Sequence, residues 1–252
     1  MSYFVDVHCH LTHKDFEHDW EDVVKRSKER GLEALVVNGL DPASNRQILK
    51  WSQQEELIKA SLGIYPVNAV SSLLGSDFPY KVDQFDVQKE LEFIRSQAEE
   101  HKIIAVGECG LDGHWLSEET YKAQEDVFSY LLDVAKTHNI PVIIHSRKLE
   151  KRAFEMVEAS GNTKVVFHCY GGKTKLALKY AEKYAWCFSI PAIAHKNHSF
   201  SKLLRDLPLE TLLTETDSPY LAPEKNTRNE PENVVQTAVS YTHLTLPTKR
   251  IV

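Results

Sequence analysis

Short apolar runs alternate along this chain with longer segments in which hydrophobic and charged residues mix at helical spacing. In order the runs are "YFVDVH", "EALVVNG", "IKASLGIYP", "KIIAVGE", "IPVIIHS", "TKVVFHC", "AWCFSIP" and "TLLTETD". Their length and β-branched content predict strands. Between them the spacing predicts helices over residues 16–30, 88–100, 118–137, 149–159 and 173–183. Strands alternating with helices imply a parallel sheet with crossover connections. Runs such as "PVIIH" and "KVVFH" are apolar almost throughout, as strands covered on both faces must be.

The polar exceptions choose between architectures. His8, Glu108, His145, His168 and Asp217 each close an apolar run. A single α/β domain folded as a (β/α)8 TIM-type barrel gathers such residues at the C-terminal ends of its strands, where barrel enzymes build their sites. An open doubly wound sheet is the alternative, because closure leaves no mark on one sequence. No internal repeat or linker interrupts the pattern, and residues 71–85 read as a loop excursion.

The first run poses the chemical question. In "FVDVHCHL" a strand turns His8 and His10 to one face and Val7 and Cys9 to the other. Two converging imidazoles are either hydrogen-bonded core histidines or metal ligands, and this stretch leaves both open. Five polar strand ends weigh toward the second, since isolated imidazoles and carboxylates in a packed barrel are costly unless they satisfy one another or a cation. His8, His10, Glu108, His145, His168 and Asp217 make a nitrogen and oxygen donor set rich enough for two divalent ions, one carboxylate bridging them. Such a pair activates water for hydrolysis.

Bulk properties narrow the rest. The 252 residues are 42% hydrophobic and 26% charged, as in an ordinary globular domain. A net charge of −6 excludes a broad basic face that would coat nucleic acid, so an anionic substrate has to be held by local charge. Cys9, Cys109, Cys169 and Cys187 form no CxxC pair, and the first three, which follow His8, Glu108 and His168, are expected to point into apolar packing as buried, reduced thiols. The start of the chain lacks an apolar leader and no stretch reaches membrane-spanning length, so a cytoplasmic protein without membrane association is expected. No obligate protein partner is evident.

The stretches "DVHCHL", "AVGECGLD", "PVIIHSR", "VVFHCYGG", "LLTETDSPYLAP" and "TRNEP" resemble, in order and context, those of the TatD family of metal-dependent deoxyribonucleases, within the amidohydrolase-like barrels. The resemblance runs from Val5 to about Val235. It implies that His8, His10 and Asp217 hold one metal and His145 and His168 the other, with Glu108 between them. Asp217 would also take the proton of the attacking water. The implied activity is hydrolysis of DNA phosphodiesters from an end, commonly 3′ to 5′, with DNA ends or single-stranded DNA as substrate and Mg, Mn or Zn as the ions. An amidohydrolase-type activity on a small ester, lactone or phosphoester is the alternative, and a non-catalytic metal-binding scaffold is the third reading. Two positions depart from the family: Tyr65 stands where many members have His, and Gly113 where an aromatic is usual.

Cations follow several strands on the same side. Arg147, Lys173 and Arg228 are the candidate substrate-binding residues, with Lys148, Lys175, Lys196 and Lys225 nearby in sequence. Arg147 lies two residues beyond a ligand and can grip a phosphate bidentately. The chain's last stretch fits no barrel element. "VSYTHLTLPT" back-translates as GTC TCT TAT ACA CAT CTG ACG CTG CCG ACG, which resembles the transposase mosaic end and adapter of sequencing libraries. The expected organisation is therefore a barrel over residues 1–238, its last helix cut short at Ala238, and a non-native tail over residues 239–252.

Overall fold

The computed structural model describes residues 4–245, with side chains as far as Ser240. Eight strands form one parallel sheet whose neighbours follow chain order. They are β1 (Phe4–Cys9), β2 (Leu32–Asn38), β3 (Ile58–Leu62), β4 (Ala105–Asp112), β5 (Val142–Arg147), β6 (Val165–Phe167), β7 (Cys187–Pro191) and β8 (Leu212–Glu215). Around them lie α1 (Trp20–Glu29), α2 (Pro42–Gln54), the single turn α3 (Pro66–Ala69), α4 (Val87–Glu99), α5 (Tyr121–Thr137), α6 (Glu150–Ser160), α7 (Thr174–Tyr184), α8 (His198–Asp206) and α9 (Val235–Thr245). Each expected strand and helix is present. The stretch from residue 16 begins instead with a 3-10 turn, Lys14–Phe16, before α1.

Local chemistry explains the helix ends. Asp41 starts α2 through a reciprocal cap: its carboxylate accepts from the Ser44 N–H at 2.8 Å, while the Ser44 hydroxyl accepts from the Asp41 N–H at 3.1 Å. Pro42 occupies the first helical position, where its missing N–H costs nothing. The Asn197 side-chain oxygen caps α8 by accepting from the Ser199 and Phe200 N–H groups, and Gly161 ends α6 at φ 72°. Between sheet and helices the core is largely aliphatic, with an aromatic sector under α6 and α7. There Phe154 stacks on Phe167 with ring centroids 4.1 Å apart, next to fully buried Trp186 and Phe188. Cys9 and Cys109 are buried in this layer, whereas Cys169 and Cys187 are only partly covered; all four are free thiols.

The seam between the first and last strands lies beside the polar strand ends. The Asp217 N–H donates to the His8 carbonyl at 2.9 Å, and the His10 N–H to the Ser218 carbonyl at 2.8 Å. Inside the barrel the buried Asp6 carboxylate accepts from the Thr216 N–H at 2.9 Å and from the Thr216 hydroxyl. These bonds close the sheet and exclude the open alternative.

One expectation changes. Helical backbone continues seven residues past Ala238, to Thr245. Nothing from Val239 to Thr245 lacks a backbone N–H or breaks the helix, and the first proline is Pro247, which disfavours helical geometry in the residue before it. Of the expected tail, residues 246–252 lie outside the described residues.

Candidate metal centre

Alternation along β1 turns Asp6, His8 and His10 into the barrel, with Cys9 buried on the opposite side. Glu108 comes from β4, His145 from β5, and His168 follows β6 by one residue. Asp217 lies two residues beyond β8 with φ 56°, a left-handed turn that brings its carboxylate back over the barrel mouth. All six expected ligands therefore meet at the C-terminal ends of the strands. Five strands are needed to assemble them.

Glu108 divides the cluster in two. Its Oε2 is 3.4 Å from the Nε2 atoms of both His8 and His10. Those nitrogens are 3.1 Å apart, and Asp217 Oδ1 lies 3.7 Å from His8 and 3.5 Å from His10. Its Oε1 faces the other way, 3.1 Å from His145 Nδ1 and 3.0 Å from His168 Nε2, which are themselves 3.4 Å apart. A tetrahedral ion with bonds of about 2.1 Å spans donor–donor edges of about 3.4 Å. Both groups match that size. The first offers four donors and the second three, which leaves the second open to a further ligand. The rings of His8 and His168, one from each group, stack with centroids 3.8 Å apart.

The protonation pattern follows from burial and from this crowding. Burial acts to raise the Glu108 carboxyl, but the imidazoles of His168, His145 and His8 hold it well below the usual carboxylate range. Burial also acts to raise the partly exposed Asp217, yet His10, His168 and His8 keep it below the ordinary aspartate value. Burial works against protonation of His10, His145 and His168, and neighbouring carboxylates overcome it in each case. His8 goes the other way, held neutral by burial and by His168. The cluster thus balances its carboxylates with protons, which cations would displace.

Three further carboxylates support the ligands and were not singled out as site residues from the sequence. Asp112 Oδ2 lies 2.8 Å from His145 Nε2, fixing the ring so that Nδ1 points at Glu108. Its Oδ1 accepts from the backbone N–H groups of His114 and Trp115, both at 2.7 Å. Glu215 faces the far nitrogen of His168 at 3.7 Å and accepts from the Ser189 hydroxyl at 2.6 Å. Asp6 holds the seam under His8. A period of two could have found all three: Asp6 precedes His8, Glu215 precedes Asp217, and Asp112 follows Glu108 by four on one strand. On this basis Asp112→Ala is expected to weaken metal binding about 10- to 100-fold. Competition with a chromogenic chelator measures this, and parent-like affinity would mean that His145 is oriented by something else.

Both departures from the family pattern have a physical setting. Tyr65 packs edge-on to His145, centroids 5.0 Å apart, and its hydroxyl donates to Asp112 Oδ2 at 3.4 Å. A Cβ at Gly113 would lie 2.9 Å from the Tyr121 hydroxyl and 3.0 Å from Leu149, so these side chains fill the space an aromatic would need.

The expected substrate cations are not equivalent. Arg147 and Lys173 are exposed, at the end of β5 and immediately before α7. Arg228 differs from expectation: its guanidinium grips both carboxylate oxygens of Asp19, at 2.8 and 2.7 Å, bonds Glu230 at 2.6 Å and covers the Phe16 ring. It ties the loop before α9 to α1, and the charge is spent on that pairing. Lys196 is likewise engaged, donating to the Pro223 carbonyl.

Comparison with known proteins agrees with this geometry. A family model described as TatD related DNase matches residues 5–246. A metal-dependent hydrolase of Methanocaldococcus jannaschii, itself uncharacterized, is 33% identical over 92% of this chain and 84% of its own length. Human deoxyribonuclease TATDN3 is 31% identical over 91% of this chain and 83% of its own. In fold, the Escherichia coli TatD homologue YJJV superposes with a TM-score of 0.81 at 22% identity, covering 96% of this chain and 90% of that one. Among the described residues no helix is long and apolar enough to cross a membrane. Family match, relatives and donor cluster lead to one assignment: the chain belongs to the TatD-related DNase family, metal-dependent hydrolases that act on ester bonds.

Proposed function

We propose that this chain is a two-metal phosphodiesterase that removes nucleotides from the 3′ end of single-stranded DNA. The observation that carries the reading is the division of Glu108, one oxygen toward His8, His10 and Asp217 and the other toward His145 and His168. One carboxylate can then serve two ions. Mixed imidazole and carboxylate donors suit Zn or Mn, and Mg is common in nucleases. Two ions held there would supply an acidified water and neutralise charge on the phosphodiester oxygens. Relatives named deoxyribonuclease support DNA as the substrate.

The remaining steps belong to side chains. Asp217 is the most exposed of the six ligands at 15%, and its carboxylate is ionised, so it can accept a proton from the attacking water. The water oxygen bonds to phosphorus, the bond from phosphorus to the 3′ oxygen of the penultimate nucleotide breaks, and that oxygen takes up the proton that Asp217 accepted. The product is a nucleoside 5′-monophosphate. Arg147 and Lys173 flank the mouth as phosphate contacts.

Metal-depleted protein reloaded with Mg, Mn, Zn or Co, incubated with end-labelled single-stranded DNA, tests the reading. Progressive shortening from the 3′ end is expected. Internal cutting or shortening from the 5′ end would overturn the polarity, and inert DNA beside a hydrolysed lactone or small ester would favour the alternative. Arg147→Ala is expected to raise KM several-fold and to flatten its dependence on log salt by about 0.7, the slope of one lost contact to a single strand. An unchanged slope would remove Arg147 from the phosphate path. We also propose that residues 239–252 are adapter-derived; resequencing the gene across codon 238 from an adapter-free template checks this.

A further inference from the structure

Among the described residues, the exposed large aromatic side chains are Tyr80, Trp115 and Tyr220, at 44%, 41% and 52% exposure. Each is linked to the metal centre: Trp115 by its backbone to Asp112, Tyr80 by its ring to Trp115 and Tyr220 by its ring to His10. An exposed ring forgoes the burial that would stabilise the fold, so their gathering at one mouth calls for an occupant.

Two walls are built differently but each is tied to a ligand. On the His145 side, the Trp115 N–H bonds Asp112 Oδ1 at 2.7 Å, and the other oxygen of that carboxylate holds His145 at 2.8 Å. That bond comes from the Trp115 backbone, so the stretch that carries the indole is pinned beside His145. Tyr80, on the excursion after α3, meets Trp115 edge-on at 5.8 Å and is backed by Phe78 at 4.8 Å. Phe78 in turn packs on a small apolar cluster of Val67, Val70 and Leu116, which anchors the excursion. Burial and the Asp112 charge push the Tyr80 hydroxyl up to about 12, so the ring stays neutral. On the other side, the Tyr220 ring lies 6.4 Å from that of His10 and 5.5 Å from that of His13, and its N–H bonds the Asp217 carbonyl at 2.9 Å.

The geometry points to these walls as stacking platforms for the two nucleobases that flank the cut bond, Trp115 with Tyr80 on one side and Tyr220 on the other. The inference rests on the phosphodiesterase reading above and adds what selects the substrate. An aromatic surface, a cation-binding centre and a second aromatic surface repeat the order base, phosphate, base of a dinucleotide step. Every base has a π-face, so such recognition tolerates sequence. Paired bases within a duplex have both faces covered, and the platforms therefore select unpaired or frayed ends.

Tryptophan fluorescence reads this without any turnover. Trp20 and Trp51 stack on each other, Trp186 is buried, and Trp115 is the exposed indole. Metal-loaded protein would be titrated with phosphorothioate oligothymidylate and oligoadenylate, which resist hydrolysis, and with blunt duplex and inorganic polyphosphate for comparison. Quenching by both single strands alone is expected. Read by the anisotropy of a dye on the strand, which needs no tryptophan, Trp115→Ala and Tyr220→Ala should each weaken their binding about 5- to 150-fold, the range for one lost stacked base, at parent metal content. Equal quenching by polyphosphate, or parent-like binding by both variants, would overturn the proposal. Quenching by single strands in a protein that cuts no DNA would uphold the platforms and remove the phosphodiesterase reading instead.

Discussion

Replacing Glu108 with alanine is expected to strip both ions and to lower turnover by at least about 10³-fold, since a catalytic metal supplies several kcal/mol of transition-state stabilisation and each 1.36 kcal/mol is worth tenfold. The cause is geometric. Glu108 turns its two oxygens to the two donor groups, Oε2 at 3.4 Å from His8 and His10 and Oε1 at 3.1 and 3.0 Å from His145 and His168. Its loss removes one donor from each group at once and leaves four imidazoles facing each other without the carboxylate between them. Glu108→Gln keeps the shape and one carbonyl oxygen, so it should retain one group's affinity better than the other's. Elemental analysis beside a DNA-cleavage assay checks both variants. Full activity with full metal content in Glu108→Ala would sink the shared-carboxylate reading.

Asp217→Asn separates metal binding from proton transfer. The amide can still face His8 and His10, but it accepts no proton, so the rate should fall by at least about 10²-fold with metal content largely kept. The sign of the pH dependence follows from the direction of the shift. A carboxyl held below its ordinary value is in its basic form across the neutral range, and its contribution is lost as pH falls through that lowered value. The parent should therefore show an acid limb below the usual aspartate range, and Asp217→Asn should lack it. A variant with parent-like turnover would take the base role away from Asp217.

The parallel α/β architecture was readable from periodicity because a sheet covered by helices on both sides buries both strand faces and so shows eight apolar runs. The candidate ligands were readable because each interrupts such a run at the same end. What stayed hidden depends on partners distant in sequence. Arg228 has the sequence context of a substrate contact, and only the fold brings Asp19 against it. Asp112, Glu215 and Asp6 each pass alone for an ordinary buried acid, and their role emerges from the imidazole or hydroxyl that each one meets. Closure of the barrel was open for the same reason, resting on bonds between Asp6 and Thr216, 210 positions apart.

That separation has a temporal side. A ribosome adding about 5 to 20 residues per second takes about 10 to 40 s to pass from Asp6 to Thr216. Throughout that interval His8 and His10 exist without Asp217, so the first donor group lacks its fourth member and the proposed base. Glu108, His145 and His168 join on the way, but the seam that positions Asp217 through the His8 carbonyl forms only when the last strand arrives. A nascent chain, or a product of premature termination upstream of β8, holds no complete centre. On the proposed function, hydrolytic capacity would then begin only once the last strand is in place.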